Sequence, residues 1–582
     1  MVERQSAGAG GGSGAGSDRH GAVLTKEALL EQELVKLNLR ALEAGKQHLA
    51  LRWLIEAPSL NPVTELTGDD GRRVILVSGQ SQSSRRDPVR EARQWLDKQK
   101  DEDPGPGNDY VLFGLGNPWA AGLLLQERPL SVFEPEPLAL LAVFSRHDFS
   151  ANLSGRSNMM RLLTPWHLAE GEMKPGSTLL IHPPAQRRAL GQLSCLKRIL
   201  HASGSALSRL AGRGLKVMVV APISGGSWPV AASLARAVEA GPHELFFLQW
   251  DDSFRRLETE ANKAVGKPES GKLAARLFER AGQRAAQAAA SFQPDLVIAL
   301  AQAPLDGAAL ARLREHTEAF LAFWLVEDFR HFAYVAEVAP AYDFLFHIQK
   351  GGIEKALKNW GIGNSAYMPL AADPSLFKPI EAVPFNYRAD LSFMGAGYPN
   401  RRNVLGRLAE AYWPRSGRPA EAFKIFGSGW DGAGEALTGH LFEGGRRVSL
   451  AECALIYAGG QVNLNLHSSF SAATDFEPQS LFVNPRTFEI AASASFQIID
   501  ARPLLPELFE AGQELITVSE AKELPDVIDH YLKRPDEARA IGAAARERVL
   551  IEHSYDQRLK EMLAQMGWSE KAGGGDVKSF PK

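Results

Sequence analysis

The chain has 582 residues, 45% hydrophobic and 23% charged, and its 65 basic and 68 acidic side chains leave a formal charge of −3. That length exceeds one hydrophobic core and implies roughly three or four domains, while the even charge excludes a nucleic-acid partner held by bulk electrostatics. The two cysteines, Cys195 and Cys453, form no CxxC pair, which argues against a disulfide framework or structural zinc and for a reducing, cytoplasmic setting.

Residues 1–22 are rich in Gly, Ala and Ser without the apolar core of a signal peptide, and are expected to be a disordered leader. No apolar run approaches the ~18 residues of a membrane span. Over 23–57, Leu29, Leu34, Leu37, Leu42, Leu49 and Leu54 in a charged setting predict a helix from Thr25 to Ala57, bent or broken at Gly45. Such a helix serves packing or a partner interface, including that of a homo-oligomer.

Region 58–205 carries the strand Tyr110–Phe113, a turn through Gly114 and Gly116, an apolar helix, and the strand Leu130–Phe133 ending at Glu134. This is the order of a Rossmann-like half with an acid where a ribose sits. The glycine signature is incomplete and Pro118 removes a helix-opening N–H. Two readings stay open: a layer that binds nothing, or a dehydrogenase or methyltransferase module around Gly114, Gly116 and Glu134.

Region 206–375 alternates short apolar strands with helices: Leu215–Ala221, His243–Leu248, Pro294–Leu300, Phe320–Val326 and Tyr342–His347. The pattern restarts over 376–562 with Ala389–Met394, Phe423–Phe426, Val462–Leu466 and Phe496–Ile499. Short apolar strands alternating with helices imply parallel sheets covered on both faces. Two doubly wound units joined through Pro369 and Pro379 turn their strand C-termini to one crevice. Residues 563–582 are expected to be a flexible tail.

Four constellations carry candidate chemistry. Gly395-Ala396-Gly397 leads to Arg401-Arg402, and Gly427-Ser428-Gly429 forms a second turn on the same sheet. Glycines admit close approach of an anion and arginines neutralise it. The helix opening at Asn484-Pro485 carries Arg486 and Glu489 near its N-terminus, a combination suited to a diphosphate and to sugar hydroxyls. Glu327-Asp328 with Arg330 and His331 close a strand, where a carboxylate or histidine can take a proton from an acceptor hydroxyl. Asn463, Asn465 and His467 share one strand face and need polar partners, from a ligand or from loop backbone. The bland reading of each is a solvated ion pair, a tight connection or a satisfied core polar group.

Residues from about 215 to 560 resemble the CgeB-like family of glycosyltransferases. The matching pieces are Trp324 to His331, Tyr342-Asp343 with Gln349-Lys350-Gly351, and Met368 to Asp373. Further matches are Asp390 to Arg402, Arg486 to Glu489, Pro506 to Gly512, and the tail through Tyr531, Pro535 and His553 to Tyr555. In front, Ser84 to Ala92 and the glycine turn at Gly114 resemble the motility-accessory glycosyltransferases that modify flagellin.

The resemblance implies an α/β fold of GT-B type, two facing Rossmann-like domains behind an extra α/β region. It also implies a metal-independent hexosyl transfer, in which helix ends and cations stabilise the leaving diphosphate. The substrate would be a nucleotide-sugar, no further cofactor being expected, and the acceptor a hydroxyl on a protein or surface glycan. Gly395, Gly397, Arg401, Arg402, Gly427, Gly429, Arg486 and Glu489 would bind the donor; Asp328 or His331 would serve the acceptor. Relatives of the group-1 type carry Glu-x7-Glu, and the first acid is Leu481 here, leaving Glu489 as the ribose-binding acid and Glu477 as a spatial substitute. The loss of that acid keeps open a non-catalytic nucleotide- or carbohydrate-binding scaffold.

Overall fold

The computed structural model describes residues 22–569 except 68, 70–71, 100–109, 116–117, 157–158, 171–176, 190, 194–195, 197–206, 211, 268, 470–474 and 477–480. The expected leader, apart from Ala22, and Gly116 and Glu477 therefore lie outside the described residues.

The helix expected over Thr25–Ala57 is three helices, Lys26–Leu30, Glu33–Ala44 and His48–Glu56. Gly45 caps the second, its N–H donating to the Ala41 carbonyl. Val35, Leu42, Trp53 and Leu54 enter the core of the unit that follows. Buried Asn38 fixes the docking: its amide donates to the carbonyls of Phe144 (3.2 Å) and His147 (2.9 Å), and its oxygen accepts the Phe149 N–H (2.9 Å). The buried face of this segment serves internal packing.

The first unit has a parallel sheet of β1 (Tyr110–Phe113), β2 (Leu130–Phe133), β3 (Met160–Leu163) and β4 (Thr178–Ile181) in the order β3-β2-β1-β4. The Rossmann-like expectation for 58–205 missed a second, antiparallel sheet built on Val63–Thr67 and Arg73–Val77. Helix Pro165–Ala169 docks this unit on the next one, where Trp166 Nε1 donates to Asn359 Oδ1 at 3.1 Å.

The middle sheet contains β5 (Lys216–Val220), β6 (Glu244–Leu248), β7 (Leu296–Leu300), β8 (Phe320–Leu325), β9 (Phe344–His347) and β10 (Ser365–Tyr367). All pairs are parallel, in the order β6-β5-β7-β8-β9-β10. The order reverses beside β5, so loops leaving β5 and β7 diverge there and open a crevice. Helix α1 (Ser227–Ala240) follows β5.

The third sheet contains β11 (Ala389–Met394), β12 (Phe423–Phe426), β13 (Gly460–Asn465), β14 (Gln497–Asp500) and β15 (Ile516–Val518). It is also parallel, in the order β12-β11-β13-β14-β15, with its reversal beside β11. Helices α2 (Pro399–Arg407), α3 (Leu450–Gly459) and α4 (Pro485–Ala492) follow β11, precede β13 and precede β14.

After α5 (Pro535–Glu552) the chain crosses back to the middle unit. The Ala372 N–H donates to the His553 carbonyl (3.0 Å) and the Tyr555 N–H to the Ala372 carbonyl (3.2 Å). Helix α6 (Tyr555–Gln565) then lies against α1. Residues 563–569, expected in a flexible tail, are instead packed: Leu563 is buried, and Trp568 Nε1 donates to the Leu210 carbonyl at 3.1 Å. Two facing doubly wound sheets joined by a returning helix make the GT-B architecture, with the extra α/β unit in front. Among the described residues no helix is long and apolar enough to cross a membrane.

Candidate functional site

Between the middle and third sheets lies a cleft of about 890 Å³. One wall is the turn after β5, Gly225-Gly226, with Trp228; the other is Gly395-Ala396 and Gly427-Ser428, with Arg486 and Glu489 at the opening of α4. Tyr555, at the crossover, contributes from below.

The four candidate glycines divide into two pairs. Gly395 and Gly427 line the cleft. They abut so closely that a Cβ on Gly427, whose φ is +105°, would stand 2.6 Å from the Gly395 carbonyl oxygen. Gly397 and Gly429 instead lock the two turns together: a Cβ on Gly397 would meet the Gly429 oxygen at 2.5 Å and the Trp430 ring at 2.9 Å. Trp430 Nε1 also donates to the Gly395 carbonyl at 3.2 Å.

The three candidate arginines separate likewise. A Cβ built on Gly395 would lie 3.2 Å from Arg401 Nη1 and 3.3 Å from Arg486 Nη2, so both guanidinium groups converge under this turn. Arg401 is buried, donating to the Leu466 (3.0 Å) and Ala396 (3.0 Å) carbonyls. Arg486 donates to Asn465 Oδ1 at 3.3 Å. No carboxylate among the described residues forms an ion pair with either. Burial, and then the neighbouring Arg486 charge, hold the Arg401 pKa well below its ordinary value. Two like charges at the reversal point of a sheet are costly unless an anion joins them. Arg402 turns the other way, donating to the Gly429 carbonyl at 2.6 Å, and does not line the cleft.

Glu489 sits on the turn of α4 that faces α3. Its Oε2 accepts the Tyr457 hydroxyl at 2.9 Å. Burial raises its carboxyl pKa against the opposing effects of Tyr457 and Arg486. The helix end itself offers less than expected to an anion. Pro485 has no N–H, and the Thr487 N–H is taken by the Asn484 cap at 3.1 Å. Arg486 is the donor that remains in the cleft lining.

On the middle unit the two consecutive acids after β8 are placed differently. Asp328 is buried and committed to Arg330, whose Nη2 lies 2.5 Å from Oδ2, and to the Arg330 N–H at 3.0 Å. Burial alone would raise its carboxyl, but Arg330 prevails and holds it below its ordinary value. Asp328 does not line the cleft. The His331 side chain lies outside the described residues. Glu327 faces the cleft turn instead: Ser227 Oγ donates to its Oε1 at 3.1 Å, and a Cβ on Gly226 would stand 3.8 Å from that oxygen.

The polar strand needs no ligand. Asn463 donates to the Tyr457 and Phe496 carbonyls, and Asn465 to Thr487 and Gln497. His467 Nδ1 lies 2.9 Å from Asp500 Oδ1 while its Nε2 accepts the Asn484 N–H at 3.1 Å. Leu481, at the absent acid, touches the facing unit, its Cδ1 lying 2.8 Å from a Cβ on Gly351. In the front unit Glu134 is spent on the Leu115 (2.8 Å) and Glu136 (3.0 Å) N–H groups, and a Cβ on Gly114 would strike Ala185 at 2.2 Å. Gly114 and Glu134 are thus both engaged by the chain itself.

Sequence reasoning passed over Arg447, Cys453 and Tyr457 on and before α3. Arg447 and Cys453 line the cleft. The i, i+4 spacing of Cys453 and Tyr457 was the available signal, since it puts both on one helix face. Among the described residues no group of three or more His, Cys, Asp or Glu is placed to hold a metal ion.

Residues 401–564 match the model of a family described as glycosyl transferase-like. Among solved structures the chain is similar to a glycosyltransferase from Rickettsia africae ESF-5, at 14% identity over 61% of this chain and 98% of that one, with a TM-score of 0.43. Sucrose-phosphate synthase from Thermosynechococcus elongatus matches at 14% identity over 61% and 99%, TM-score 0.42. Anabaena HepE in complex with UDP and glucose matches at 12% identity over 60% and 99%, TM-score 0.41. No curated protein matches the sequence.

Proposed function

We propose that the protein is a glycosyltransferase that moves a sugar from a nucleotide-sugar to a hydroxyl of a protein or surface glycan. One observation carries this reading: Arg401 and Arg486 converge under Gly395, and among the described residues neither forms an ion pair with a carboxylate. A diphosphate supplies the missing negative charge. Charge-assisted hydrogen bonds from Arg486, with Arg401 fixed behind it, stabilise that group as it leaves. Glu489, held by Tyr457, accepts hydrogen bonds from the ribose of the donor. The family match over 401–564 supports assigning the donor to this half. In this reading transfer is metal-independent and hexosyl in type, the protein works in the cytoplasm, and the front unit presents the acceptor.

Calorimetry with UDP, GDP and dTDP tests the reading. One of the three should bind, and Arg486→Ala or Glu489→Ala should weaken it about tenfold, the worth of one charge-assisted hydrogen bond. Failure of all three to bind the wild-type protein would refute the proposal. A second reading rests on Leu481, which stands where related enzymes keep an acid and contacts Gly351 instead. A scaffold would bind nucleotide but release none from any nucleotide-sugar.

A further inference from the structure

Arg486 and Glu489 both line the cleft and stand one turn apart on α4. At that i, i+3 spacing opposite charges meet on a helix surface and attract. An ion pair between them would occupy the two groups that the donor reading leaves open to a ligand. Among the described residues they form none, although the Arg486 charge is close enough to lower the Glu489 carboxyl pKa against the effect of burial. Each is drawn off by a different neighbour. Arg486 reaches Asn465 Oδ1 at 3.3 Å, and its Nη2 lies 3.3 Å from a Cβ built on Gly395. Glu489 turns to α3, where the Tyr457 hydroxyl donates to Oε2 at 2.9 Å.

Tyr457 itself does not line the cleft and has little freedom to move. It is 1% exposed, its ring lies 5.9 Å from that of Phe377, and its carbonyl accepts the Asn463 amide at 3.2 Å. Burial raises its pKa, so the hydroxyl stays protonated and remains a donor. A hydrogen bond given to a carboxylate is among the stronger ones, and more so where water is excluded. Cys453, one turn earlier on α3, and Tyr555 from the crossover are the other ionisable groups near this carboxylate. Burial raises both, so neither offers it a charge. The fold thus supplies one fixed phenol that competes with Arg486 for Glu489.

We propose that Tyr457 is a positioning residue for nucleotide binding, holding Glu489 away from Arg486 so that both charges stay available to the ligand. This rests on the donor reading above. The probes are inorganic pyrophosphate, which can meet the arginine but has no ribose, and whichever of UDP, GDP and dTDP binds the wild-type protein. By calorimetry, Tyr457→Phe should weaken both about fivefold, the effect of one hydrogen bond. Adding Glu489→Gln removes the charge that captures Arg486, and should restore pyrophosphate affinity to within about twofold of wild type. Glu489→Gln alone sets the reference, and the gain it gives must be larger in the Tyr457→Phe background. A loss of packing at position 457 would give no such rescue. Tyr457→Met, a second side chain without a hydroxyl, provides the same comparison if Tyr457→Phe is unstable. Unchanged affinities in a folded Tyr457 variant, or an equal gain from Glu489→Gln with and without the hydroxyl, would overturn the proposal and leave the donor reading in place. Failure of pyrophosphate and all three nucleotides to bind the wild-type protein would remove the donor reading, and this proposal with it.

Discussion

At the end of β8 two consecutive acids take opposite parts. Asp328 accepts the Arg330 N–H and side chain and closes a short turn, whereas Glu327 accepts from Ser227 alone among the described residues. Asp328→Ala should therefore cost stability, about 1 kcal/mol as for a lost cap, and leave nucleoside diphosphate affinity unchanged. Chemical denaturation and calorimetry measure the two. A folded Asp328→Ala protein with weakened nucleotide binding would contradict the assignment. The sequence marks an acidic strand end but not which acid meets Arg330 and which meets Ser227, because one residue of register moves a side chain to the other face. The same ambiguity hides in Arg401-Arg402, since successive helical residues point about 100° apart. Only the packed structure sends Arg401 beneath Gly395 and Arg402 to the Gly429 carbonyl. Asn463, Asn465 and His467 mislead for a related reason. Their polarity is visible in sequence, but their partners on α4 and β14 are not.

The donor wall depends on two turns held in mutual contact. Gly397 should tolerate no side chain, because a Cβ there meets both the Gly429 oxygen and the Trp430 ring. Gly397→Ala should destabilise by about 1–3 kcal/mol, the usual cost of overpacking. Gly406, within α2, has nothing within 4 Å of a built Cβ. Gly406→Ala should instead stabilise by about 0.4–1 kcal/mol through the unfolded chain. Urea midpoints of the pair provide the measurement, and a destabilised Gly406→Ala or a neutral Gly397→Ala would be inconsistent with this packing. Elements such as β7 and β8 were legible because a strand buried on both faces is almost wholly apolar. The antiparallel pair was not, since Val63–Thr67 mixes polar with apolar residues and is only partly buried, although Val74 to Val77 of its partner strand are buried. The division of the N-terminal helix into three was only partly visible, through Gly45.

At the scale of the whole chain, the two facing sheets could be read from their repeating strand–helix pattern. The return of α6 to α1 could not, because nothing local in Tyr555–Gln565 states which unit it covers. His553, at that crossover, shows how far the assembly depends on neutral imidazoles. Its Nε2 lies 2.7 Å from the Leu508 carbonyl and its Nδ1 2.7 Å from Arg558 Nη2. One nitrogen must therefore donate and the other accept, which only the neutral ring does. His467 is fixed in the same way between Asp500 and the Asn484 N–H. Burial lowers the pKa of both to about 4, and it does so for His147 and His167 in the front unit. In the unfolded chain each returns to an ordinary value of about 6.5. Between those limits the unfolded state binds more protons than the folded one, so stability rises with pH across the window. Acidification from pH 7 to 4 should therefore lower the melting temperature, beginning near 6.5. The sites lie in the front unit, the third unit and the crossover, so calorimetry should show every transition shifting down. A melting temperature flat between pH 6.5 and 4.5 would mean that these imidazoles are not held neutral by the fold.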